Sequence, residues 1–252
     1  MLHLLKRHLV PVVAHFEQVL VLTYAFPQEL LAPLLPPGLE LDTHDNLGFL
    51  AVAMVQTTEL RPAFMPRAVG RDFFLTGYRI FTQMKTAKGQ VLRGLKILRS
   101  DADHSWMVTW GNLLTHYGYH KAEVACTRQD SALRIDVATP QAEADLEVTA
   151  DLSNLPGPLP EGSPFASVEA ARRFAGPLPH TFDYEAESHS IIVVRGVRGN
   201  WKPQPVKVQV RKNTFLLSPP FSQAKPVLAN AFYLADVPYR WECGWREQLP
   251  KA

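Results

Sequence analysis

The chain has 252 residues, enough for one substantial hydrophobic core, and its 46% apolar and 20% charged content excludes a disordered or fibrous protein. Lys and Arg number 26 against 24 Asp and Glu, a formal charge of +2 spread along the sequence, which excludes the basic stripe of a nucleic-acid binder. The two cysteines, Cys126 and Cys243, lie far apart without C-x-x-C spacing and read as reduced, buried thiols rather than zinc or redox ligands.

Residues 1–16 mix Lys6, Arg7, His8 and His15 into an apolar stretch, so no signal-peptide pattern emerges. The longest uncharged apolar run, residues 47–55, falls far short of the roughly 20 residues a spanning helix needs. A cytoplasmic protein with no membrane partner is the expectation.

Strand-like runs rich in Val, Ile, Phe, Tyr and Thr are predicted at 19–26, 48–57, 73–84, 91–99, 185–197 and 206–210. In the last of these, Val206, Val208 and Val210 alternate strictly with Lys207 and Gln209, the pattern of an antiparallel sheet with one wet face. Residues 86–89 contain Gly89 and read as a hairpin between two such runs, and residues 196–200 read the same way. Three short helices are predicted. Residues 27–35 carry a leucine stripe between Pro27 and the Pro36-Pro37-Gly38 stop, 105–117 place Trp106, Trp110 and Leu114 at helical spacing, and 167–174 place Glu169 early and Arg172 and Arg173 late. Residues 152–164 hold four prolines and two glycines and form a loop. The texture predicts a mainly β (α+β) fold, an antiparallel β-barrel-like sheet with a few flanking helices, as a single domain over residues 1–252.

Several polar residues invite a functional reading. His116 and His120 are four apart, but Gly118 interrupts the helix between them and no Glu follows His116, so no metal site is expected. Tyr78, Arg79 and Arg61 can line a cavity and fork onto a carboxylate, and by alternation only one of Tyr78 and Arg79 faces inward. Arg195, Arg198, Trp201 and Lys202 flank Gly196 and Gly199 and read as a solvated turn. No G-x-S-x-G, Walker loop or dinucleotide glycine pattern occurs, which sets aside those hydrolase and nucleotide-binding classes, and no cofactor is expected.

Three stretches, in order, resemble the acetoacetate decarboxylase-like superfamily and more closely its bacterial DUF2071 branch. They are Leu22-Thr23-Tyr24 leading to Leu35-Pro36-Pro37-Gly38-Leu39-Glu40; residues 73–79 followed by Gly94-Leu95-Lys96-Ile97-Leu98; and Ser100-Asp101-Ala102-Asp103 running through a helix to Tyr117-Gly118-Tyr119-His120-Lys121-Ala122. The resemblance covers the first half of the chain and implies the same barrel-like fold. It places Lys121 where the decarboxylase carries its Schiff-base lysine, with His120 and His116 as neighbouring cation or proton shuttle and Tyr119 among the substrate-facing residues. Such a lysine must be neutral to attack a carbonyl, and this decarboxylase is the standard example of activation by desolvation or a nearby cation.

The family's second lysine is replaced by Ala122, its proline by His120, its substrate-facing arginine by Ala25, and its acidic residue by Leu75 or Thr76. Acetoacetate itself is therefore not the implied substrate. Two functions follow: a lysine-imine enzyme acting on a small keto acid or related carbonyl compound, or a non-catalytic small-molecule-binding protein that kept the cavity. Closed homo-oligomers are common in this superfamily.

Overall fold

The computed structural model describes residues 2–176 and 178–250. Long strands dominate the first half: β1 (Val12–Pro27), β3 (Leu47–Pro62), β4 (Arg71–Lys85) and β5 (Val91–Ala102), with a short β2 (Glu40–Leu41) between the first two. Each long strand extends its predicted core by several residues, because paired neighbours satisfy the backbone well beyond the apolar stretch. β4 turns into β5 at Gly89, whose φ of 81° suits the expected hairpin.

The rest of this sheet comes from β6 (Tyr119–Lys121), β10 (His180–Glu185), β11 (Ser190–Arg198), β12 (Gln204–Pro205), β14 (Val227–Trp241) and β15 (Trp245–Gln248). The hydrogen-bonded path runs β14-β1-β3-β4-β5-β10-β11, and β11 returns to β14 through Gly196–Arg198 against Trp241–Tyr239. The path therefore closes. The sheet is mixed rather than purely antiparallel, because β6 and β10 both pair with β5 in parallel. The chain reaches β6 through a helix and β10 through a much longer excursion, the long crossovers that parallel pairing requires.

That excursion supplies three of the four strands of a second sheet, of which the sequence pattern marks only the later stretch near 206–210. β7 (Glu123–Gln129), β8 (Ala132–Ala138), β9 (Leu146–Asp151) and β13 (Lys207–Asn213) pair antiparallel in the order β13-β9-β8-β7. Leu133, Ile135 and Val137 alternate onto one face and pack with Leu146 and Val148 against Leu22, Val52, Met54, Phe74 and Tyr78 on the outside of the closed sheet. Each such large side chain contributes about 1.5–3 kcal/mol on burial. The residues that alternate with them on β1, β3 and β4 face the interior of the closed sheet, so these strands are buried on both sides.

The three helices appear close to their expected places. α1 (Gln28–Leu31) continues as a 3-10 turn over Ala32–Leu34, α2 spans Ser105–Leu114, and α3 spans Val168–Ala175 with Ser167 Oγ accepting the Ala170 N–H at 3.1 Å. Phe165, Phe174 and Ala171 close one end of the interior against Phe49 and Phe81. Met107 of α2, with Tyr117 and Tyr119, packs on Phe73 and Ile97 at the other.

Two expected elements differ. The predicted strand over 185–197 is broken by a 3-10 turn at Ala186–Ser188 and by His189 at φ 48°, giving the β10–β11 hairpin. The hairpin expected at 196–200 is absent: Gly196 lies inside β11, where a Cβ would stand 2.0 Å from Tyr239 Oη, so glycine there permits close packing rather than a turn. Cys126 is half-buried and Cys243 is exposed, against the expectation that both are buried. No helix among the described residues is long and apolar enough to cross a membrane.

Candidate functional site in the sheet interior

Antiparallel register sets a row of small residues in the interior. Ala53 on β3 stands opposite Gly77 on β4 and Val21 on β1. The next inward residue of β4, Arg79, folds back over this row: a Cβ on Gly77 would lie 2.9 Å from both Nε and Nη2 of Arg79. Glycine here is what makes room for the guanidinium. Arg79, Val21 and Leu75 keep part of their surface accessible although their neighbours on the same strands are buried, as do Trp201, Tyr239 and Trp241 facing them. Accessible surface this deep lines an internal space.

The Arg79 guanidinium makes no hydrogen bond or ion pair with any described residue, and its Nε is buried and unpartnered. Burial holds its pKa below the ordinary arginine value, and the neighbouring Arg198 acts in the same direction. Tyr239, Tyr119 and Tyr117 lie near enough to act on it electrostatically, in the opposite direction. A lone buried cation is costly unless an anion joins it.

Tyr119 is placed by α2. Its backbone N–H donates to Asn112 Oδ1 at 2.8 Å and its carbonyl accepts from Asn112 Nδ2 at 2.8 Å, while its ring lies where a Cβ of Gly111 would be, 2.4 Å away. Burial raises the pKa of both Tyr119 and Tyr117, so both phenols stay neutral donors. Across the space, the Arg198 guanidinium stacks 4.3 Å from the Trp201 ring and 5.6 Å from that of Tyr239, and donates to the Leu178 carbonyl at 2.8 Å. Arg198 Nε and Trp201 Nε1 are buried without partners. The solvated turn expected for this pair is corrected: β11 pairs with β14, which carries Arg198 inward, while Arg195 and Lys202 remain exposed.

Of the residues singled out by sequence, the fold brings Arg79 and Tyr119 together, with His116 beside Tyr117; its Nε2 is buried and unpartnered, and burial lowers its pKa. Tyr78 faces the second sheet instead, stacked 4.1 Å from Phe215 with its Oη donating to the Ala144 carbonyl at 3.2 Å. Arg61 is held in the β3–β4 connection by the Glu59 and Met65 carbonyls and by the Glu59 carboxylate at 3.6 Å. His120 is exposed on β6. Lys121 is exposed as well, its ammonium donating to the carbonyls of Asp103 and Ala122. The inward lysine that imine chemistry needs is not what the structure shows: Lys121 is the exposed last residue of the three-residue strand β6. The sequence reading passed over Tyr117, Tyr239 and His8; only the alternation of Tyr239 with Trp241 hinted that one face of β14 is covered. Among the described residues no cluster of three His, Cys, Asp or Glu side chains forms a metal site.

The mainly β fold is shared with acetoacetate decarboxylase-like proteins. The structure matches acetoacetate decarboxylase from Legionella pneumophila (12% identity, 94% of this chain and 86% of that one, TM-score 0.61). It matches an acetoacetate decarboxylase-like enzyme from Sphingomonas wittichii RW1 (14% identity, 97% and 96% covered, TM-score 0.62) and the enduracididine biosynthesis enzyme MppR complexed with pyruvate (10% identity, 94% and 90% covered, TM-score 0.59). No functionally curated protein matches the sequence. The chain belongs to the DUF2071 family of uncharacterized conserved proteins, whose pattern spans residues 13–237.

Proposed function

We propose that this protein binds a small carboxylate-bearing molecule inside its closed, barrel-like sheet, with Arg79 as the anchor. The observation that carries this reading is the enclosed Arg79 guanidinium with no partner among the described residues. A carboxylate accepting two parallel N–H bonds along the free edge of the guanidinium supplies the missing charge and the missing acceptors together. Tyr119, neutral and fixed by Asn112, offers a further hydrogen bond, and the Trp201, Tyr239 and Trp241 rings wall an apolar remainder. MppR was solved with pyruvate in a matching fold, which makes pyruvate the first probe.

A second reading keeps the lysine chemistry. Lys121 borders a groove of about 320 Å³ with Ala122, Glu123, Thr139 and Pro140, from which it would attack the carbonyl carbon of a keto acid. The two readings part on one experiment. Pyruvate is titrated calorimetrically into wild type, Arg79→Met and Lys121→Ala, and wild type is then treated with pyruvate and borohydride and analysed by mass spectrometry. Binding lost in Arg79→Met and kept in Lys121→Ala, with no covalent adduct, is the expected outcome. Binding that survives Arg79→Met overturns the anchor, and an adduct on Lys121 moves the function to imine chemistry.

A further inference from the structure

We infer that the interior holds a second, uncharged subsite formed by Tyr117, His8 and His116, which takes a hydroxyl or carbonyl oxygen of the ligand whose carboxylate Arg79 anchors. The inference rests on the Arg79 reading and adds to it the polar group that the ligand carries besides its carboxylate.

Three buried polar atoms at this place have no partner among the described residues: Tyr117 Oη, His8 Nε2 and His116 Nε2. They belong to one neighbourhood. The His8 and Tyr117 rings lie 5.3 Å apart, tilted by 40°, and His8 and His116 each feel the charge of the same Asp183 carboxylate. Arg79 and Asp183 both act electrostatically on the Tyr117 phenol, which puts it within reach of the anchor's field as well as that of the histidines' neighbour Asp183. Buried polar groups in folded proteins are nearly always hydrogen-bonded, so three such orphans in one neighbourhood mark a position that a ligand group or water fills.

His8 is carried there by a dedicated piece of chain. The 3-10 segment Leu2–Arg7 packs against α2, and Arg7 forks onto the buried Glu185 carboxylate through Nε at 2.8 Å and Nη2 at 2.5 Å. The next residue, His8, adopts φ 50° and its carbonyl accepts the Gly244 N–H at 2.9 Å. A histidine in the left-handed region is uncommon, and here it turns the ring back over Tyr117.

The charges of the subsite select a neutral group. Asp183 is almost fully buried and paired with Lys96 at 3.1 Å, so the pair carries no net charge. Both histidines are held neutral by burial, and a neutral imidazole offers one donor and one acceptor. Lys96, one of the two lysines that act on His116, is already paired with Asp183, while a hydroxyl or keto oxygen can accept from Tyr117 and exchange a hydrogen bond with a histidine.

The test uses butyrate and 2-, 3- and 4-hydroxybutyrate, one carboxylate with a hydroxyl at three distances, titrated calorimetrically into the full chain. At least one hydroxy acid is expected to bind about fivefold or more tightly than butyrate, the value of one net hydrogen bond. Tyr117→Phe and, separately, His8→Phe should remove that preference, read as the ratio of hydroxy-acid to butyrate affinity within each variant; a purely structural role would weaken all four ligands alike and keep the ratio. Equal affinity for all four in wild type, or a preference that persists in both variants, overturns the second subsite and leaves the anchor standing. Failure of wild type to bind any of the four overturns the anchor itself, and the subsite with it.

Discussion

Replacing Arg79 by methionine should make the ligand-free protein more stable while abolishing carboxylate binding. The side chain lies near Tyr117, Tyr119 and Tyr239 and over Gly77, and has no acceptor among the described residues. An uncompensated buried charge costs about 3–5 kcal/mol, and replacing buried charges by apolar groups of similar volume is often stabilising by about 1–4 kcal/mol. Methionine has comparable reach, no charge, and the flexibility to pack on Val21 and Leu75. A gain of about 1–4 kcal/mol is therefore expected, and each kcal/mol raises the melting temperature of a chain this size by about 2–4 °C. The assay is urea and thermal unfolding of wild type and Arg79→Met, each with and without pyruvate at a concentration well above its Kd. Wild type should be stabilised by the ligand and the variant should not, since a molecule that binds only the folded state raises stability by mass action. If Arg79→Met is instead destabilised by more than about 1 kcal/mol without ligand, the arginine is a structural element and the argument from an unpaired cation collapses.

Lys121→Ala should change stability by no more than about 0.5 kcal/mol, because an exposed side chain bonded to two carbonyls is lost to water; a larger drop in a urea melt would show that the β6 edge depends on it. Tyr78→Phe should cost about 1–2 kcal/mol by leaving the Ala144 carbonyl unpaired, with pyruvate affinity unchanged, since Tyr78 faces the second sheet; altered affinity would refute that separation of faces. Burial pushes the His8 pKa down to about 4 from 6.5, so between these values the unfolded chain binds the extra proton. Stability should therefore climb as pH rises from about 4 to 6.5 and level off above, by at most about 3 kcal/mol from this group. His116 is shifted in the same direction, so His8→Phe should remove only part of that slope; an unchanged slope in stability against pH would show that His8 is solvated.

Much of the architecture was written locally. Pro27 and Pro36-Pro37-Gly38 bracket α1 and its 3-10 continuation, Ser167 and the late arginines frame α3, and Gly89 turns β4 into β5, because caps, prolines and positive-φ glycines act over a few residues. The motifs resembling the acetoacetate decarboxylase-like superfamily pointed to the fold for the same reason, being contiguous segments with fixed spacing. The second sheet escaped notice because β7 and β8 are short, charged on their exposed faces and separated by Asp130, whose φ of 51° marks a turn only once the pairing is known.

The site was less legible. Alternation on β4 shows that Tyr78 and Arg79 point to opposite faces, yet not which face is the interior. Both faces of this strand are covered, one by the second sheet and one by the interior, so the apolar pattern that usually labels the core side is symmetric. Lys121 stands at the motif position of the family's reactive lysine, but the direction of a side chain at the end of a three-residue edge strand depends on the rim around it. The sequence by itself determined the long strands of the first sheet, the three helices and the family. Closing β11 onto β14 is what adds Arg198 and Tyr239 to Arg79 and Tyr117 from positions spread across the chain, and such long-range pairing leaves no local pattern in the residues it unites.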